Sequence, residues 1–342
     1  MLGAVRHRLL SLTVRLVLVS AALLIAGASP AMADPAGPGD FRSEVTGIVP
    51  AADGVRAEVR GGDAFLELSV DEGHEAIVEG YRGEPYLRFR EDGVVERNRL
   101  STATYVNDDR KGRGTVPAEV EEATATTPPE WERVGDGGTY AWHDHRMHWM
   151  GGADPGVPRG SEVGGAYDPW RIPIEVDGAA VTIEGTLTYE DSTAPLPWGA
   201  LALVLGGAMA WFGRGRTTVL VPAALTALAA VALVVGRADF ASTPGGANAL
   251  QWALPAVALV AAVVAVLPWT RRFALIGILA SVASLSGWAL FRIDVLTNPV
   301  LPTDLPFALD RATTALALTI SAAAAYLTVT SGQLKLAELP DD

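Results

Sequence analysis

Residues 181–212 read VTIEGTLTYEDSTAPLPWGALALVLGGAMAWF, and the fold turns on the change of text at Pro195. Up to Tyr189 apolar and polar residues alternate with a period of two, as a strand with one buried face requires. From Leu196 the chain is Ala, Leu, Val and Gly without a charge, close to the ~20 apolar residues that carry a helix across a ~30 Å hydrocarbon layer. A water-facing β segment is thus joined, through a short hinge, to a lipid-facing helix.

Reading toward the C-terminus, four more apolar runs follow, at 218–235, 250–268, 273–291 and 312–329. None contains Asp, Glu, Lys, Arg or His in its interior, which speaks against a transport path lined by ionisable groups. Small residues such as Gly206, Gly207, Ser281, Ser284, Ser286 and Ser321 permit close helix packing. Arg214 and Arg216 follow the first run, and Arg271 and Arg272 separate the third from the fourth. The positive-inside rule places both short loops in the cytoplasm. Residues 237–249 and 292–311 are then outside, together with everything between the N-terminal segment and the first helix. That segment reaches the same topology independently. Arg6, His7, Arg8 and Arg15 precede an apolar stretch at 16–26, and Ala31-Met32-Ala33 reads as a cleavage site, so residues 1–33 are expected to be a signal peptide.

Composition supports the division. The 342 residues are 49% hydrophobic yet carry a formal charge of −13. Residues 34–193 hold 32 acidic and 15 basic side chains, −17 in all, which leaves the rest of the chain at +4. Such acidity outside the membrane argues against nucleic acid as a partner, because phosphate repels it. Cysteine is absent, which removes disulfides, thiolate metal sites and cysteine nucleophiles.

Strand-like pieces recur through the acidic block: 45–49, 55–59, 65–70, 76–81, 86–90, 94–96, 171–176 and 181–189, punctuated by Asp53-Gly54, Asp92-Gly93 and Asp177-Gly178. Short strands at such spacing predict an all-β, sandwich-like domain. Residues 110–131 and 153–168 are expected to be long loops. The expected architecture is a signal peptide (1–33), an extracytoplasmic β-rich domain (34–193), a five-helix transmembrane bundle (194–331) and a cytoplasmic tail (332–342). The lipid bilayer is its first partner and the cell membrane its location.

One segment is chemically unlike the rest: Tyr140-Ala141-Trp142-His143-Asp144-His145-Arg146-Met147-His148-Trp149-Met150. It holds three of the chain's five histidines and two of its five methionines. Imidazole suits copper, zinc and nickel, and a thioether favours Cu(I). As a strand the segment sets His143, His145 and Met147 on one face, with His148 joining only through a bulge. As a helix it pairs His143 with Met147, and Asp144 with His148. A metal site, copper first, formed by His143, His145, Met147 and His148 is one reading. The other is metal-free: the histidines and tryptophans dock the β domain onto its helices or onto an envelope protein partner. No nucleophile–base–orienter set is legible, so the expectation is a protein that is not an enzyme.

The same block resembles one found in uncharacterised bacterial membrane proteins with a secreted β-rich domain. Gly83-Glu84-Pro85-Tyr86-Leu87-Arg88-Phe89 and Ser101-Thr102-Ala103-Thr104-Tyr105 look like further shared blocks. Through its His/Met content the block also resembles copper-handling envelope proteins, which implies copper as the bound species. The chain departs from small periplasmic copper carriers in lacking a histidine at the expected mature N-terminus, where Asp34 stands.

Three smaller expectations complete the reading. His74, in a turn, is expected to be solvated. Arg88 and Arg90 share a strand face and are expected to meet the domain's own carboxylates. The outer loop at 291–311, stiffened by Pro299, Pro302 and Pro306 and carrying Asp294, Asp304 and Asp310, is expected to lie as a lid against the β domain, with Asp294 or Asp304 available to a metal site.

Overall fold

The alternating segments become strands in a computed structural model that describes residues 36–152, 154–244 and 248–331. The expected signal peptide and tail lie outside these residues. The strands are β1 (Phe41–Val49), β2 (Val55–Arg60), β3 (Phe65–Val70), β4 (Ala76–Glu79), β5 (Pro85–Phe89), β6 (Val95–Asn98), β7 (Trp131–Gly135), β8 (Thr139–Trp142), β9 (Ser161–Glu162), β10 (Trp170–Val176) and β11 (Ala179–Tyr189). They form two antiparallel sheets. The larger runs β1-β11-β10-β4-β5-β6-β7, with β9 also paired to β11, and the smaller runs β2-β3-β8. Trp170, Ile172 and Ile174 of β10, Ile183 and Leu187 of β11, and Leu66 and Leu68 of β3 are all buried in one shared core. Each such aliphatic side chain contributes roughly 1.5–3 kcal/mol on leaving water, so the two-residue period is what holds the sheets together.

The β10–β11 turn explains its own sequence. Asp177 and Gly178 both have positive φ, 48° and 79°, the backbone of a two-residue hairpin that Asp-Gly adopts most readily. The Asp177 carboxylate also accepts the Glu75 amide at 2.9 Å and meets His74 Nδ1 at 2.7 Å. His74 is therefore tethered to the neighbouring turn rather than simply solvated. Arg88 pairs with Glu96, and Arg90 with Asp92, as expected. Two short helices interrupt the β region: α1 (Thr102–Val106), capped by Ser101 Oγ, and α2 (Ala118–Glu121), inside the stretch read as loop.

Beyond Pro195 come α3 (Leu196–Phe212), α4 (Thr217–Ser242), α5 (Leu250–Val266), α6 (Ala274–Phe291) and α7 (Phe307–Thr330). Three of them, α4, α6 and α7, are long and apolar enough to cross a membrane; α3 and α5 are apolar but shorter, at 17 residues each. Small residues set the packing. A Cβ on Gly206 of α3 would lie 2.8 Å from Thr319 Cβ of α7, and one on Gly236 of α4 would lie 1.9 Å from the Gln251 carbonyl oxygen of α5. Only glycine lets these backbones approach so closely.

Two helix boundaries correct the sequence reading. The second helix runs through Ser242 instead of ending at 235, and the last begins at Phe307 instead of 312. Asp239 and Asp310 are consequently helical and buried, and both bind one guanidinium, that of Arg292. The Arg292 Nη2–Asp310 Oδ1 contact is 2.6 Å. A hydropathy reading treats each aspartate as a break because it cannot see a partner 53 or 18 residues away.

The 292–306 loop meets the β region. Gly39 and Val300 exchange backbone hydrogen bonds of 3.0 and 3.1 Å, Arg60 of β2 lies 3.4 Å from Asp304, and Val300 packs on Gly62. Arg311, buried at the start of α7, donates to the carbonyls of Val295, Asn298 and Pro299 and to Thr193 Oγ1. Both ends of the β region, Gly39 and Thr193, are thus fastened to the same lid and helix. Asp304 is committed to Arg60 rather than to the histidines.

Candidate functional site

The His/Met block is a strand only through Trp142. At Asp144 the chain turns, and both the continuous-strand and the helix geometries give way to a loop at 143–150. The cause is local. Asp144 Oδ1 accepts its own Arg146 amide at 3.1 Å, and the Asp144 carbonyl accepts the Met147 amide at 3.2 Å. Side-chain bonding to a backbone two residues on is the turn-forming habit of aspartate.

Asp144 is fully buried and is the hub of the block. Its carboxylate takes the Trp142 indole at 2.9 Å and the Arg146 guanidinium in a two-point contact of 2.8 and 2.7 Å. Burial alone would push this carboxyl up, but the Arg146 charge and the donated hydrogen bonds outweigh it and hold the group below the usual carboxylate range. Arg146 also donates to the Glu79 carbonyl at 3.0 Å and lies over the Tyr81 ring. Tyr81, whose phenol burial beside Asp144 pushes far up, accepts the His145 amide and donates to Asn107.

The expected ligands go to different places. His143 is 2% exposed, stacked on Phe65, with Nδ1 2.5 Å from the Ala64 carbonyl oxygen. Met147 is wholly buried in the β core, where its thioether serves as packing. His145 and His148 are only partly buried. His145 Nε2 lies 3.0 Å from the Asp109 carbonyl oxygen, and since a carbonyl only accepts, Nε2 carries the proton and Nδ1 keeps its lone pair. His148 Nδ1 lies 2.5 Å from Asp63 Oδ2, while the other Asp63 oxygen binds Arg110. Since the carboxylate accepts, Nδ1 is the donor and the ring is fixed in orientation. Among the described residues no three His, Cys, Asp or Glu side chains are grouped as a metal site.

Asp63, Asp109 and Tyr81 are therefore parts of the site that the sequence did not single out. Their only sequence cue is the turn text around them, Gly61-Gly62-Asp63 and Asp108-Asp109; the pairings themselves span 36 to 85 residues. A shallow hollow of about 300 Å³ adjoins the block, lined by His145, Arg146, Tyr167 and Arg171 among others.

Burial holds the His145 imidazole below its usual range, partly opposed by the Asp109 carbonyl. The unfolded chain thus binds the proton more readily than the folded one. The stability this contributes is complete above the unfolded value of about 6.5 and is lost as pH falls toward the folded value. The melting-temperature gap between the native protein and His145→Gln is accordingly expected to narrow between pH 7.5 and 5.5; a gap that widens would contradict the neutral, carbonyl-bonded ring.

Comparison of the chain with protein-family models, with curated proteins and with solved structures finds no match.

Proposed function

We propose that this chain is a five-span protein of the cell membrane whose β region is exported and seated on the outer mouth of the helices, where it acts as a non-enzymatic interaction and assembly surface. The observation that carries the reading is the fastening of both ends of the β region, Gly39 to Val300 and Thr193 to Arg311. A module tethered for free movement needs only one covalent hinge; this one is held at its entry, its exit and, through Arg60, its side. The arginine distribution supports the orientation, since Arg214, Arg216, Arg271 and Arg272 fall on the face opposite the β region if all five apolar helices cross. The His/Trp block supports the same role from inside. Arg146, His143, His145 and His148 each bond to groups outside the block, and Asp144 ties Trp142 to Arg146 within it, so the block braces the surface that would meet an envelope partner.

The absence of cysteine makes the topology directly testable. Single-cysteine variants at Thr303 and Gly215 should react oppositely with a membrane-impermeant maleimide on intact cells: Thr303→Cys labelled, Gly215→Cys labelled only after permeabilisation. The reverse pattern, or labelling of both on intact cells, refutes the arrangement.

A further inference from the structure

Helix α4 begins at Thr217, just after Arg214 and Arg216, and runs to Ser242. Arg237 stands 20 residues beyond Thr217, about 30 Å along the axis at a rise of about 1.5 Å per residue, which is the thickness of the hydrocarbon layer. Its guanidinium is therefore carried to the level of the lipid headgroups, on the side of the 292–306 loop. Asp239, two residues on and about 200° around the helix, turns inward to Arg292. Arg237 is exposed on the opposite face.

No carboxylate answers this charge. Asp239 and Asp310, the buried acids of the same helix ends, are committed to Arg292, and none of the Arg237 donors is bonded among the described residues. The side chain is nevertheless seated. Its Cζ lies 5.5 Å from the Phe240 ring centroid and 5.4 Å from that of Trp252. The two rings meet edge to face, 6.3 Å apart with 81° between their planes, and so form a corner that holds the guanidinium. Stacking uses the flat face of the guanidinium and leaves its N–H edge free, a planar fork matched to phosphate. Trp252 lies in the first turn of α5, which carries no acidic side chain. The partial positive charge of that N-terminus has the same sign as Arg237, and an anion at the corner satisfies both. Phosphodiesters are the anions of the headgroup layer, the same layer that tryptophan prefers.

We propose that Arg237, seated on Phe240 and Trp252, binds the phosphodiester of an anionic phospholipid of the outer leaflet, of the phosphatidylglycerol type. A zwitterionic lipid fits less well, because its own ammonium competes for the phosphate. The inference rests on the membrane-spanning arrangement proposed above, and it adds a specific lipid to the bilayer as a partner.

The test uses the full-length protein in detergent, stripped of lipid and titrated with phosphatidylglycerol, with bound lipid followed by native mass spectrometry. A first lipid held more tightly than those that follow is expected. Its affinity should fall about tenfold in Arg237→Gln, as for loss of a charge-assisted hydrogen bond. Arg237→Lys keeps the charge but not the fork and should fall between that variant and the native protein. Because Arg237 is exposed, both variants should keep the native melting temperature in lipid-free detergent, which separates loss of the site from loss of the fold. Inorganic phosphate should not displace the lipid, since it brings no acyl chains to lie along the helices. Equal affinity of the native protein and Arg237→Gln for phosphatidylglycerol would overturn the proposal, and displacement by inorganic phosphate would overturn the lipid as the source of the anion. Maleimide labelling at positions 303 and 215 decides the topology separately, so a chain that labels as expected and holds no tight lipid refutes the site alone.

Discussion

Replacing Arg292 with leucine is expected to destabilise the helical region by about 3–5 kcal/mol, the usual consequence of removing one partner from a buried ion pair. Among the described residues the guanidinium is the only group that binds both Asp239 and Asp310. Without it two carboxylates remain among packed helices, and one Asp310 oxygen already lacks a hydrogen-bond partner. The loss arises from stranded charge rather than from lost packing, and this can be tested. The triple variant Arg292→Leu, Asp239→Asn, Asp310→Asn should recover most of the stability, because the three positions form one coupled unit. The measurement is the melting temperature of the purified protein in detergent. A melting temperature for Arg292→Leu equal to the native one would show that the cluster does not hold together the helix ends that face the β region. Arg311 follows Asp310 directly and holds the lid carbonyls, so loosening of the 292–306 loop to limited proteolysis should accompany the loss.

The second large effect is expected at Asp144. Asp144→Ala leaves Arg146, nearly buried, without its counter-charge and leaves the Trp142 indole without its acceptor, at about 3–5 kcal/mol. Asp144→Asn keeps one acceptor for Trp142 or Arg146 and should fall between the alanine variant and the native protein. The acid limb carries the same signature. The folded carboxyl is held below the value of about 3.9 typical of an unfolded chain, so its contribution is complete above that value and is lost as pH falls through the depressed folded one. Unfolding of the native protein and Asp144→Asn should therefore differ most near neutrality and converge in strong acid. Equal stability of the two at neutral pH would mean that Arg146 finds another partner and that the hub is not electrostatic.

Much of the candidate site was hidden from the sequence for a physical reason. The chemistry of the segment at 140–150 is visible in its composition, because histidine and methionine are scarce elsewhere in the chain. Its geometry is not, because a single carboxylate, Asp144, bonds locally and ends the strand after Trp142. The partners that decide each imidazole, Ala64, Asp109 and Asp63, are backbone or turn groups with no motif of their own. Met147 and Met150 look equivalent as text; only burial separates a core side chain from an exposed one.

At the level of fold, local periodicity located most of the strands and the apolar helices, though not α1, α2, β7 or β9. The two-residue alternation ending at Tyr189, the Asp177-Gly178 turn and the uncharged run from Leu196 are properties of neighbouring residues, and the strands and helices follow from them. What the tertiary structure alone decided are the contacts between distant residues. Asp239 and Asp310 could stay inside helices only because Arg292 reaches both, and the β region is seated because Val300, Asp304 and Arg311 come back to it across more than a hundred residues. Hydrophobic patterning is written along the chain, whereas charge compensation and hydrogen-bond satisfaction are settled only when the chain is brought together.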